Sequence, residues 1–394
     1  MSWRITFVAL LIATAGSASA ANIAETQRAI DRIKAVGKEA AGNQEAGAAW
    51  KELVSHGGEA LVPTLAAMRD ASPAACNWLR SAVNAIAEKE KATGKKLPID
   101  NLEAFLKDTK NLPAARRLAY EILVDIDAKT PDRLLPGLLH DPSTELRRDA
   151  VGAALTKAEK LTGDAAKAEY TRLLAAVRDE EQANKIADAL DKLGARPNLK
   201  SHFGIVTNWM LAGPFDSTKG AGFEKPYEPE KKVDLAATYK GKGDAEVKWV
   251  PHTAEADPPP EKNEKGEIGK IAVENVGLVK LNKALAKHKD AVAYAYTLIE
   301  SDKEQPVEVR LGCINAIKVF LNGKEVFARE EYHHGMRFDQ YVGSGTLKPG
   351  KNEILVKVCQ NDQKEPWAQD WQFQLRLSDA TGGALPVKEA LSTK

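Results

Sequence analysis

From residue 21 to about Pro197 the apolar positions recur with a helical period. Leu61, Leu65 and Met68 share one face, as do Leu102, Phe105 and Leu106, and as do Leu134, Leu135, Leu138 and Leu139. Each of these short segments is followed by a longer one. Four of the longer segments share a pattern: RSAVNAI from Arg80, RLAYEIL from Arg117, RDAVGAAL from Arg148 and KIADAL from Lys185. A basic residue stands two positions before Ala82, Ala119, Ala150 and Ala187, at spacings of 37, 31 and 37 residues. A two-helix unit recurring at such intervals predicts a helical solenoid, since one pair cannot bury its own apolar stripe. An ordinary antiparallel helix bundle is the alternative. The small Ala lets two helices approach closely, and the basic residue lays its stem on the core edge with its charge in water. Asp141 is expected to cap a helix that Pro142 opens.

From about Ser201 the period changes to two. Val292, Tyr294, Tyr296 and Leu298 fall on one face of AVAYAYTLIE. Val307, Val309 and Leu311 alternate with Glu308 and Arg310. Ile354, Val356 and Val358 alternate with Leu355 and Lys357, and Phe373, Leu375 and Leu377 with Gln374 and Arg376. Such alternation predicts antiparallel sheets with one solvated face, assembled as a β-sandwich. Asn322-Gly323 between two strand patterns is a strong hairpin signal, because both central residues of a type I′ turn need positive φ. Trp209, Trp249 and Trp371 sit within strand patterns and are expected in the core. The polar stretch from His252 to Gly269, with three consecutive prolines, reads as a long exposed loop.

DPSTELRRDAVGAAL, Asp141 to Leu155, resembles the second helix of a HEAT repeat, with weaker units across about 55–195. In the second half, five segments in order resemble the galactose-binding-like jelly-roll modules. They are NWMLAGPFD, VAYAYTLIES, VRLGCINAIKVFLNGKEVF, LKPGKNEILVKVCQ and WQFQLRLSDATG. The similarity is greatest to the sugar-binding domains that accompany glycoside hydrolases. The resemblance implies a multidomain chain: an N-terminal all-α HEAT-like solenoid over 21–197, then an all-β galactose-binding-like jelly-roll sandwich over 203–385. It also implies carbohydrate association through the sandwich. The chain departs from the pattern at Cys313-Ile314-Asn315-Ala316, where relatives often carry an acidic pair, and at Phe320, where they often carry Trp.

Charge alters this picture little. The 394 residues carry a formal net charge of +1 with 28% charged side chains, so no global field draws nucleic acid or an anionic membrane. Residues 1–20 have the layout of a secretory signal peptide: Arg4, an apolar run, then Ala18-Ser19-Ala20. A single N-terminal membrane anchor is the alternative. The expected location is therefore extracytoplasmic, periplasmic or secreted, without membrane insertion. Of the three cysteines, Cys76 is expected as a small buried hydrophobe, and a Cys313–Cys359 bridge is left open.

Catalytic motifs are missing from the sequence: it holds no G-x-S-x-G, Walker loop, H-E-x-x-H or C-x-x-C. The expectation is no catalytic residue, no metal ligand and no cofactor, with a structural calcium left open. Carbohydrate binding asks only for an aromatic face and a few hydrogen-bonding side chains. The candidates are Trp367, Gln369 and Asp370 in one loop, and Tyr332, His333, His334 and Arg337 in another. Two readings follow. In the first, the sandwich meets a polysaccharide or glycan and the helical repeats hold a protein partner, with no nucleic acid involved. In the second, the chain is an extracytoplasmic protein scaffold with no glycan ligand. A hydrolase using loop carboxylates such as Asp216 or Asp370 ranks third.

Overall fold

The structure, a computed structural model, describes residues 22–259 and 271–391. The expected signal peptide and the latter part of the polar loop, 260–269, lie outside the described residues. The chain divides into two compact units, one up to Ala150 and one from Val151 onward.

Helices run in sequence through the first half. They are α1 (22–34), α2 (Asn43–Ser55), α3 (Leu61–Ala67), α4 (Pro73–Ala92), α5 (Ile99–Lys107), α6 (Pro113–Ile126), α7 (Thr130–Leu134) and α8 (Thr144–Ala158). Helices α9 (Gly163–Ala176), α10 (Glu180–Lys192) and α11 (Leu199–Phe203) follow. Their starts have local causes. Ser72 accepts the Ala75 amide at 3.2 Å while Pro73 opens α4, a position where proline loses no hydrogen bond. In the first unit α3 packs on α4, α5 on α6, and α4 on α6. Ala82, Ala119, Ala150 and Ala187, the recurring small positions, are all buried.

Asp141 does not act as the expected cap. Ser143 takes that place at the start of α8, its Oγ 3.4 Å from the Leu146 amide. Asp141 stands two residues before it, where its Oδ1 accepts the Ser143 amide at 2.8 Å and its carboxylate takes a two-pronged ion pair from Arg116 of α6 at 2.8 and 2.5 Å. Arg116 Nε also donates to Leu106 O at the end of α5, at 2.6 Å. Arg116 is fully buried, so a planar guanidinium with every prong engaged is what makes its burial tolerable.

The second half is a β-sandwich. The larger sheet contains β1 (Asn208–Asp216), β4 (Val250–Thr253), β6 (Ala291–Ser301), β8 (Ala316–Leu321), β9 (Lys324–Arg329) and β11 (Gly350–Gln360), in the order β4-β1-β6-β11-β8-β9. A short β13 (Lys388–Glu389) adds to β6. The smaller sheet runs β10-β7-β12-β5, with β5 (Val279–Lys280), β7 (Gln305–Cys313), β10 (Tyr341–Leu347) and β12 (Gln372–Ser378). A separate hairpin pairs β2 (Thr238–Lys240) with β3 (Glu246–Lys248). All pairings between strands are antiparallel. The Asn322-Gly323 turn joins β8 to β9 with φ of 52° and 78°, as the sequence implied.

The main core lies between the sheets. Trp209, Leu211, Ala293, Val319 and Val356 of the larger sheet meet Val309, Leu311, Phe373 and Leu375 of the smaller one. The expected solvated face is not found on the larger sheet. Its outer face carries Phe215, Val292, Tyr294, Tyr296, Leu355 and Cys359, which build a second core with Phe223, Val247 and Trp249. The segment 217–249 covers that face, which is why Lys357 points outward from its strand yet is fully buried. Its Nζ gives one hydrogen bond each to Phe223 O at 3.1 Å, Lys225 O at 2.8 Å and Glu230 Oε1 at 2.8 Å. An ammonium has three protons, and all three are used. Tyr294 donates its hydroxyl to the same Glu230 oxygen.

The smaller sheet is covered as well. Gln374 and Arg376, expected to be outward and solvated, are buried. Gln374 donates to Val273 O and Val276 O, and Arg376 clamps Asp339 at 2.6 and 2.5 Å beside the contacting rings of Phe203 and Phe338. Cys313 faces the inner core and Cys359 the outer one, so the two thiols are free and serve different packing layers.

Two consequences can be measured by denaturant unfolding. Lys357→Ala strands Glu230 without its counter-ion and should cost about 3–5 kcal/mol, whereas the Lys357→Met, Glu230→Leu double substitution should recover much of that loss. In the helical unit, Asp141→Ala leaves the Arg116 guanidinium buried and unpaired and should cost about the same.

Candidate functional site

The end of the sandwich where β6 begins and β11 ends gathers four connections. They are the β7–β8 turn at Ile314–Asn315, the β9–β10 loop at 330–340, the β11–β12 loop at 361–371 and residues 282–290 before β6. The sheet itself draws them together, since Ala291 pairs with Gln360 and Cys359 with Ala316. Asn315 is buried and is the hub: its Nδ2 donates to Gln360 Oε1 at 3.1 Å and to Asp370 O at 3.4 Å. Gln360 Nε2 donates onward to Ala368 O and Asp370 O. These bonds fix the backbone of the 361–371 loop from below.

On this frame Asp370 is half-exposed. Its Oδ1 accepts from Asn282 Nδ2 at 2.6 Å and lies 3.1 Å from Lys287 Nζ. One hydrogen bond and one ion pair thus hold the carboxylate through Oδ1, and Oδ2 has no hydrogen-bond partner among the described residues. Gln369 is tied to the same loop, its Nε2 donating to Lys364 O at 2.9 Å. Trp367 falls on the short 3-10 turn Pro366–Gln369, and its side chain lies outside the described part of the structure.

The 330–340 loop crosses the sandwich end from one outer face to the other. Tyr332 packs its ring against the outer core of the larger sheet, and burial keeps its phenol above the ordinary range. His333 takes a positive φ of 56°, its amide donates to Ile314 O, and its Nε2 donates to Asn361 Oδ1 at 2.6 Å. The chain then leaves the Asp370 side. His334 contacts Gln340 and Tyr341, and the Arg337 carbonyl packs on Gly312 of the smaller sheet. Of the residues singled out from the sequence, His333, Gln369 and Asp370 therefore lie on loops tied to the Asn315 hub, whereas Tyr332 packs on the outer core of the larger sheet and His334 and Arg337 belong to the β10 side of the loop.

Sequence reasoning missed Asn282, Lys287, Asn315, Gln360 and Asn361. Asn315 and Asn361 carried one signal, an amide residue at the end of a strand pattern, but nothing in the sequence joined them to Asp370. This end also holds three unpartnered buried oxygens. Asn282 Oδ1, Asp290 Oδ1 and Asn315 Oδ1 are buried with no donor among the described residues. Native structures seldom leave buried polar atoms so, and a concentration of them at one end is unusual. Among the described residues, no group of three His, Cys, Asp or Glu side chains converges as metal ligands, and no helix is long and apolar enough to cross a membrane.

No family model and no curated protein matches this sequence. Among solved structures, the chain is similar to the PA14 domain of MpAFP antifreeze protein, at 9% identity, 43% of this chain, 80% of that one and a TM-score of 0.22. It is similar to a PA14 sugar-binding domain from an RTX adhesin, at 13% identity, 47% and 91% coverage and a TM-score of 0.22. A third match is a β-glucosidase from Kluyveromyces marxianus in complex with glucose, at 12% identity, 79% and 36% coverage and a TM-score of 0.23. Similarity at this level carries neither ligand nor activity to this chain.

The hub and the rim should separate in a stability measurement. Asn315→Ala strips the partner from buried Gln360 and should cost about 1–3 kcal/mol on thermal or denaturant unfolding. Asp370→Ala removes only half-exposed contacts and should change stability by less than about 1 kcal/mol.

Proposed function

We propose that the protein is an extracytoplasmic, non-catalytic binding protein whose sandwich associates with carbohydrate through the end built on Asn315. The observation that carries this reading is the oriented Asp370 carboxylate, set on a hydrogen-bonded frame with Gln369 beside it in the same loop and His333 bonded to Asn361 at the loop's start. Sugar hydroxyls pair well with fixed acceptors, and pre-orientation of those acceptors lowers the ordering cost of binding. The mixed, near-neutral rim suits a neutral polyhydroxyl ligand better than a polyanion.

In the same reading the helices form a HEAT-like solenoid that holds a protein partner. Two adjoining depressions, of about 450 and 400 Å³, run along the exposed face of α4 and share Asn77 and Ser81. Trp78 forms part of the first, its Nε1 donating to Asn43 Oδ1 at 3.3 Å. An indole and several amides on one helix face supply both an apolar plane and hydrogen bonds for a partner surface.

The full chain, tested against a broad panel of glycans and polysaccharides by calorimetry or glycan array, should bind at least one of them saturably. Asp370→Ala combined with Gln369→Ala should weaken that binding by about tenfold or more, equivalent to about 1.4 kcal/mol, with the melting temperature little changed. Binding that is absent across the panel, or that is indifferent to the double substitution, would leave the scaffold reading in its place.

A further inference from the structure

The Asn322-Gly323 turn is docked on β11 by its own side chain. Pairing of β8 with β11 ends at Leu321 opposite Ile354, and Asn322 carries the ladder one step further. Its amide donates to Glu353 O at 2.8 Å, and the Glu353 amide returns a bond to Asn322 Oδ1 at 3.0 Å. Asn322 Nδ2 donates to Asn352 Oδ1 at 2.9 Å. Asn352 is fully buried and is itself fixed. Its Oδ1 also accepts the Lys348 amide at 2.9 Å, and its Nδ2 donates to Lys348 O and Gly350 O at 2.9 and 3.0 Å. Main-chain groups have a set polarity, so these partners decide which end of each carboxamide is oxygen and which is nitrogen.

An asparagine followed by glycine is open to one intramolecular reaction. The Gly323 nitrogen attacks Asn322 Cγ, and the new N–Cγ bond closes a cyclic imide. The Cγ–Nδ2 bond breaks, and Nδ2 leaves as ammonia with the proton that the Gly323 nitrogen gives up. Water then adds to one imide carbonyl and opens the ring. The product is an aspartate or, through the other carbonyl, an isoaspartyl link with an extra carbon in the main chain. Nothing is oxidised or reduced. In this turn the nucleophile is unguarded. Gly323 is exposed, its amide has no main-chain partner among the described residues, and a Cβ placed on it would meet nothing within 4 Å. The electrophile is guarded. The carboxamide is held at both ends, so swinging Cγ towards the Gly323 nitrogen means breaking the bonds to Asn352 and Glu353.

We propose that Asn322 is a deamidation site guarded by the fold: the clamp from Asn352 and Glu353 keeps ring closure slow while the hairpin tip is docked, and release of the tip lets the reaction run. Once it has run, the tip no longer docks as before. In the aspartyl product a carboxylate oxygen replaces Nδ2 beside Asn352 Oδ1, so two acceptors meet where a hydrogen bond stood. Asn352 cannot turn round to relieve this without losing its bonds to the 348–350 turn. In the isoaspartyl product the longer main chain no longer fits a two-residue type I′ turn. Both products loosen the tip beside Leu321, whose side chain packs on Gly345 of β10. The site thus marks, irreversibly, a chain whose hairpin has opened.

The test follows the peptide containing Asn322 by mass spectrometry, with isoaspartate read by enzymatic methylation. The full chain is held at mildly alkaline pH with and without denaturant. Two hydrogen bonds of ordinary net strength oppose ring closure, so the native chain should react about ten- to a hundredfold more slowly than the denatured one. Asn352→Ala removes half of the clamp from a position 30 residues away, and should speed the native reaction by up to about tenfold while leaving the denatured rate unchanged. Asn322→Asp writes the product into a turn that aspartate also tolerates. It should unfold at a lower denaturant concentration than the wild type, and it decides the matter if the Asn352 variant folds poorly. Equal native and denatured rates, a native rate indifferent to Asn352→Ala, or an Asn322→Asp chain as stable as the wild type would overturn the proposal.

Discussion

The sandwich depends on one buried ammonium. Lys357 stands on β11, the strand that pairs with both β6 and β8 in the larger sheet, and its side chain points away from the inter-sheet core. In an open sheet it would simply be solvated. Here the segment 217–249 lies over it, and a buried cation without partners would be costly to hold there. The cost is met by Phe223 O, Lys225 O and Glu230, which together take all three of its protons. The same bonds pin the covering segment to the sheet, so Phe215, Tyr294 and Tyr296 of the sheet can form a second apolar layer with Phe223 and Trp249 of the cover. Lys357 is thus the polar fastener of an apolar interface.

Arg376 does the corresponding work on the smaller sheet. It projects outward from β12, lies against the edge-to-face pair of rings of Phe203 and Phe338, and binds Asp339 with both prongs while giving a further hydrogen bond to Phe203 O at 3.1 Å. A guanidinium suits the place because it stacks on rings and forks onto a carboxylate at once. Asp339 closes the loop that began at Tyr332, so the clamp on one outer face sets where the 330–340 loop must cross the sandwich end. The candidate site is positioned from below by Asn315 and Gln360 and from the side by this crossing. Its rim residues can then remain half-exposed without becoming loose.

The larger divisions of the chain were legible in the residues. The change of period near Ser201 marks the passage from helices to strands, because side-chain direction repeats every 3.6 residues in one and every two in the other. The Asn322-Gly323 turn was equally plain, since its backbone demand falls on two adjacent residues. Asp141 shows where such reading stops. Its neighbours made it a cap, but Ser143 caps α8, while Asp141 accepts the Ser143 amide and is paired with Arg116, 25 positions earlier.

What the sequence determined by itself was therefore local: element type, hairpin position, the buried tryptophans, and the loops holding Tyr332, His333 and Asp370. Tertiary structure alone decided which strand faces are covered and which polar side chains meet. Lys357 and Glu230 are 127 positions apart, and Asn282 and Asp370 are 88 apart. No periodicity links such pairs. A lysine or arginine at an outward strand position is written the same way whether water or another segment of chain lies above it. Only the folded chain, by excluding water there, turns an ordinary surface charge into an obligatory buried contact.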